Sequence, residues 1–122
     1  MSMVHKIHKI AVVTDDVEGS VAFYTEKLGM EVMERFPTEG DEDFVFLKAG
    51  DITFELMPKK TMGAPEGFHH ISFKVESVDA ACEELRAKGV KILAEPFDTG
   101  VGIRLAFFEG PNGLRLQLFE RR

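Results

Sequence analysis

Cysteine occurs once in these 122 residues, at Cys82, which excludes an internal disulfide and any cysteine-rich zinc site. No apolar run approaches the roughly 18 residues that a membrane-spanning helix needs, so no membrane partner is expected. The opening MSMVHKIHKI has neither a long apolar segment nor a small-residue cleavage site. No secretory leader is read there, and the cytoplasm is the expected setting. Basic residues number 15 against 21 acidic ones, for a formal charge of −6, and they are scattered along the chain. A phosphate-binding face needs clustered Lys and Arg, so nucleic acid is not the expected partner. Cys82 falls among Val78, Ala81 and Leu85 on an apolar helical stripe and reads as a buried structural thiol.

What the chain does have is pattern. KIAVVT (9–14) alternates as a half-buried strand does. A helix follows, with Asp16 as N-cap, Glu18 in its first turn, Val17, Val21, Tyr24 and Leu28 on one face, and Gly29 as its terminator. MEVMERF (30–36), DFVFLKA (43–49) and ITFELMP (52–58) read as three strands. EGDED (39–43) reads as a solvated acidic loop, and KKTMGAPEG (59–67) as a hinge. HHISFKV (69–75) then alternates again. A second helix begins after Ser77, turns Val78, Ala81, Cys82 and Leu85 inward and ends at Gly89. VKILAEP, GIRLAFFE and LRLQLFE supply three more strands, the last two joined by the GPNG turn.

The order βαβββ is therefore written twice, and individual residues agree. At an offset of 61, Ile10 meets Ile71, Val12 meets Phe73, Val17 meets Val78 and Glu18 meets Asp79. At 62, ITFEL (52–56) meets LRLQL (114–118), pairing Glu55 with Gln117. Internal duplication is the reading. It predicts one α+β domain over residues 1–122, made of two tandem βαβββ modules forming a curved mixed sheet around a pocket. Module 1 covers 5–58, a linker 59–67 and module 2 68–120.

Strand phase then sorts side chains. Ile10, Val12, Ile52, Phe54, Leu56, Ile71, Phe73, Leu114, Leu116 and Leu118 are expected beneath the helices. Lys9, Thr53, Glu55, His70, Ser72, Lys74, Arg115, Gln117 and Phe119 fall on the opposite face. That mixture of titratable and apolar groups is the make-up of a ligand cleft. His69 is expected to face the helix layer, and Phe23 and Tyr24 to help pack the first helix.

The FY…LGM signature of residues 23–30, HHISFKVESVDAACEELRAKGV and EGPNGLRLQLFE are similar to the vicinal-oxygen-chelate superfamily. That group includes glyoxalase I, methylmalonyl-CoA epimerase, extradiol dioxygenases, and fosfomycin and bleomycin resistance proteins. The resemblance covers nearly the whole chain and implies the paired-module fold, a small-molecule ligand and a homodimer. In metal-dependent members the first and last strands of each module supply ligands, usually His and Glu or Gln. By position, these fall on Glu55, His70 and Gln117, with Glu55 also the implied catalytic residue.

The remaining ligand position falls on Lys9, whose ammonium has no lone pair for a metal. Three arrangements are open. Lys9 pairs with Glu55 in a metal-free pocket. Or a metal (zinc, nickel, iron or manganese) is held by Glu55, His70, Gln117 and water. Or the first strand is shifted, so that His8 enters and Lys9 leaves. The resemblance thus implies a metal-dependent lyase or isomerase of the lactoylglutathione-lyase type acting on a small carbonyl or oxyanion compound. Its alternative is a metal-free binding or resistance protein. Lys9, Ser72, Lys74, Arg115 and Phe119 are the expected ligand-contacting residues.

Overall fold

The computed structural model describes residues 2–122. The fold is α+β, and two compact units divide it: Lys9–His69, and the residues through His8 together with His70–Arg122. The first unit holds most of β1 (Lys6–Thr14), then α1 (Val17–Leu28), β2 (Glu31–Phe36), β3 (Phe44–Ala49), β4 (Ile52–Pro58) and α2 (Lys59–Met62). Its strands lie in the order β2-β3-β4-β1, with β1 parallel to β4 and the other pairs antiparallel. The second unit holds most of β5 (Gly67–Lys74), then α3 (Val78–Ala87), β6 (Ile92–Asp98), β7 (Ile103–Glu109) and β8 (Arg115–Arg121). Its order is β5-β8-β7-β6, again with one parallel pair, β5 and β8.

Register carries the duplication further than element order does. Glu55 of β4 lies opposite Phe46 of β3 and Ala11 of β1. Gln117 of β8 lies opposite Phe107 of β7 and Ser72 of β5. The same cross-strand neighbourhood thus recurs at an offset of 61 (Ala11 to Ser72, Phe46 to Phe107) and 62 (Glu55 to Gln117).

Each unit buries its own apolar core between helix and sheet. Val17 and Val21 of α1 pack with Val45, Leu47 and Leu56, flanked by Val12, Tyr24, Met30 and Phe54. Val78, Ala81 and Cys82 of α3 pack with Val75, Ala106 and Leu118, flanked by Leu85, Ile92 and Phe108. Cys82 is buried, and that burial pushes its thiol up from the usual value. The opposite face of the first sheet is covered as well. Ala11, Val13 and Met57 lie beneath Phe44, Met62 and Ala64.

Both helices start as their sequences dictate. Asp16 Oδ1 accepts from the Gly19 N–H at 2.9 Å, and Ser77 Oγ accepts from the Ala80 N–H at 3.1 Å. Gly29 closes α1 in the left-handed conformation at φ 73°, where a side chain would be strained.

Several expectations need correction. The acidic loop is not merely solvated, because Glu42 Oε2 accepts from the Val17 N–H at 2.7 Å and so stabilises the start of α1. The hinge contains the short helix α2, anchored where Met62 packs on the sheet. Phe23 and Leu28 are exposed; only Tyr24 turns in, tilted against Phe54 with ring centroids 4.7 Å apart. Leu114 is exposed because Asn112 and Gly113, both at positive φ, delay the start of β8 to Arg115. Gly89 lies one residue beyond Lys88, which caps α3.

Candidate functional site

In the first unit, alternation along β1 and β4 puts Lys9 and Glu55 on the face away from α1, and both are buried. Lys9 Nζ lies 3.9 Å from Glu55 Oε1 and 5.7 Å from the centroid of the Phe46 ring. Phe46 itself packs edge-on against Phe36. β1 runs beside β4 in unbroken register from Lys9 to Thr14, and Lys9 is only 1% exposed. The lysine has not been turned out into water.

Burial and pairing pull the two charges in opposite directions. Loss of water lowers the Lys9 pKa from 10.5 to about 8, and the Glu55 carboxylate opposes that shift. The same loss of water pushes the Glu55 carboxyl above its usual range, and the Lys9 ammonium opposes it. At neutral pH Lys9 keeps its proton, and Glu55 is a stronger base than a solvated carboxylate. Their separation exceeds a direct hydrogen bond, so the pair is held by charge in a setting of low dielectric.

The second unit carries the repeat partners of these residues. His70, Ser72, Gln117 and Phe119 are all buried. His70 meets the Phe107 ring at right angles, with centroids 5.2 Å apart. Ser72 and Gln117 are register partners on neighbouring parallel strands. His8 lies flat on Phe119 at 3.8 Å between centroids, inclined by 16°. Lys74 and Arg115 share the phase of this face but are exposed, since each sits at a strand end where the sheet no longer covers it.

Phe46 and Phe107 were missed by sequence reasoning. The signal that finds them is the offset of 61, which places both beside the polar residue of the last strand in their unit.

A divalent metal is a poor fit to these side chains. An ion on Glu55 would sit about 2 Å from the carboxylate oxygen, in the neighbourhood of an ammonium 3.9 Å from Oε1. Among the described residues, no three His, Cys, Asp or Glu side chains gather as a group able to hold a metal ion. What the geometry does supply is a buried acid–base pair, and in the other unit a buried imidazole, hydroxyl and carboxamide able to bind polar ligand atoms.

Comparison with known proteins agrees with the fold. The chain is 34% identical to an uncharacterized Bacillus subtilis protein, YwkD, over 98% of this chain and 99% of that one. It is 31% identical to a probable chloroplastic lactoylglutathione lyase of Arabidopsis thaliana, over 98% of this chain and 35% of that protein. A solved structure of a Streptomyces coelicolor methylmalonyl-CoA epimerase variant, in complex with 2-nitronate-propionyl-CoA, is 27% identical. It superposes with a TM-score of 0.80 over 97% of this chain and 98% of that one. Residues 6–118 match the pattern of the Glyoxalase/Bleomycin resistance protein/Dioxygenase superfamily, and the chain belongs to that superfamily.

Proposed function

We propose that this chain is a lyase or isomerase that moves a proton on the carbon next to a carbonyl group. Its substrate is a small carbonyl compound such as an acyl thioester or a glutathione hemithioacetal. The observation that carries this reading is the Glu55 carboxyl, buried and raised above its ordinary range with Lys9 3.9 Å away. A base of that kind has its proton affinity tuned towards neutral pH, where general base catalysis is most effective. In the forward step the Glu55 carboxylate takes the carbon-bound proton, and the bonding pair moves onto the carbonyl oxygen to give an enolate. Delivery of a proton to the opposite face of the same carbon completes an epimerisation, and delivery to the neighbouring carbon completes an isomerisation.

The relatives support the substrate class. One is a probable lactoylglutathione lyase, and a structural neighbour at 27% identity is a methylmalonyl-CoA epimerase in complex with 2-nitronate-propionyl-CoA. A second reading, a metal-free module that binds its ligand without turnover, is favoured by how deeply Lys9 and Glu55 are buried. Proton exchange in D2O separates the two. Methylmalonyl-CoA and the glutathione hemithioacetal of methylglyoxal are incubated with the protein, and loss of the carbon-bound proton is followed by NMR. Exchange is expected with at least one of them, reduced about 100-fold or more in Glu55→Gln. Binding seen by calorimetry without exchange would establish the second reading.

We further read the chain as a cytoplasmic homodimer. Among the described residues no helix is long and apolar enough to cross a membrane. Val32 and Met33 on β2, and Leu93 and Phe97 on β6, leave exposed apolar groups on edge strands that a second copy would cover. Sedimentation equilibrium tests this directly.

A further inference from the structure

We propose that the ammonium of Lys9 is the resident cation of this protein, standing in the role that a divalent metal fills elsewhere in the superfamily, and that it bars such a metal from Glu55. Three observations support it. Lys9 is 1% exposed, so its charge is committed to the interior rather than to solvent. Its Nζ lies 3.9 Å from Glu55 Oε1, where it neutralises the carboxylate that a metal would need. Lys9 also occupies the place in its unit that His70 occupies in the other. Each stands two residues before the strand partner of the last-strand polar residue, Ala11 beside Glu55 and Ser72 beside Gln117. One copy of the repeat therefore presents a metal-ligand residue type at this position, and the other presents a fixed positive charge.

The physical consequence is selective. A monovalent ammonium on a side chain cannot be chelated away, needs no loading, and still attracts an oxygen on which negative charge develops. A divalent ion brought to Glu55 would meet a like charge at short range, and two unit charges about 4 Å apart in a partly dry setting already disfavour binding by about a thousandfold. This inference adds a cation to the reaction proposed above, but its test does not depend on turnover.

The test is metal content by elemental analysis, with zinc, nickel and manganese offered separately to protein stripped of metal and then desalted. Wild type is expected to retain far less than one ion per chain. Lys9→His, which gives β1 the residue type found at position 70, is expected to retain about one ion, with affinity raised about a thousandfold. Thermal unfolding of wild type is expected to be unmoved by EDTA or by added metal. Stoichiometric metal in wild type, or stabilisation of wild type by metal, overturns the proposal. If Lys9→His also stays empty while folded, lysine is not what excludes the metal, and the proposal falls. Should Lys9→His fail to fold, Lys9→Gln removes the charge with a smaller side chain, and its metal uptake is read by the same criteria. An empty wild type that also shows no proton exchange would sink the enzymatic reading and leave this one standing.

Discussion

Lys9 and Glu55 hold opposite charges out of water, and each makes the other tolerable. Removing one partner from such a pair costs about 3–5 kcal/mol, whereas replacing both with apolar groups is often neutral or better. Lys9→Met is therefore expected to lose about 3 kcal/mol, and Lys9→Met/Glu55→Met to recover most of it, measured by urea unfolding. The pH dependence of the single variant has a defined sign. Without the ammonium, nothing opposes the burial that raises the Glu55 pKa above 4.5. The folded state then binds a proton that the unfolded chain releases. The Glu55 contribution to the variant's stability should therefore be fully present below pH 4.5 and be lost as pH rises through the folded pKa. A gap to wild type that does not widen as pH rises above 4.5 would show that Glu55 is not the stranded charge. Much of this cluster was legible in the sequence, because a strand's period of two fixes which side chains share a face. Phe46 and Phe107 were not, since one more aromatic in an apolar strand carries no signal of its own. Lys74 and Arg115 misled because phase says which way a side chain points but not whether anything covers it.

At the scale of the element, both long helices begin on a carboxylate borrowed from far along the chain. Glu42 accepts from the Val17 N–H at 2.7 Å, and Glu120 accepts from the Val78 N–H at 2.8 Å. Each satisfies one of the donors that a helix start leaves open and places negative charge at the positive end of the dipole. Ion pairs from the first turn of each helix repeat too, Glu18 with Arg35 and Asp79 with Arg104, but these are more exposed and contribute little. The Val78 N–H is the main cause that holds the Glu120 carboxyl below its usual 4.5, with Arg122 helping. Glu120→Gln is expected to cost about 1 kcal/mol, or about 3 °C in Tm at neutral pH. A depressed folded pKa means this stabilisation is present above pH 4.5 and is lost as pH falls through the lower value. The deficit of Glu120→Gln should accordingly vanish in acid, as thermal unfolding at pH 7 and pH 3 will show. The local caps, Asp16 and Ser77, were readable because they stand next to the turns they serve. Glu42 and Glu120 were not, because the chain between carboxylate and helix leaves no local signature.

Across the whole molecule, the same construction has been laid down twice, down to which residue faces which in the ladders. Pro65 and Glu66, between α2 and β5, are both exposed and outside any element. Six Gly/Ser residues inserted between them should lower Tm by no more than about 2 °C, since loop closure grows only logarithmically with length. The same insertion between Glu42 and Asp43 should be markedly worse, because it dislodges the carboxylate from Val17. The duplication was visible in sequence since it rests on element order and a constant offset. The position of the short helix α2 was not, because Lys59–Met62 has the composition of a loop and is helical only where Met62 packs on its neighbours.

A chain copied onto itself also contains its own reference. What one half does at a given place on its scaffold is a working example of what the other half's backbone can accommodate, as a lysine at position 9 and a histidine at position 70 already illustrate. Exchanging residue types between matched places therefore offers a small, self-documented library. In it the architecture stays constant and only the inner-face chemistry varies.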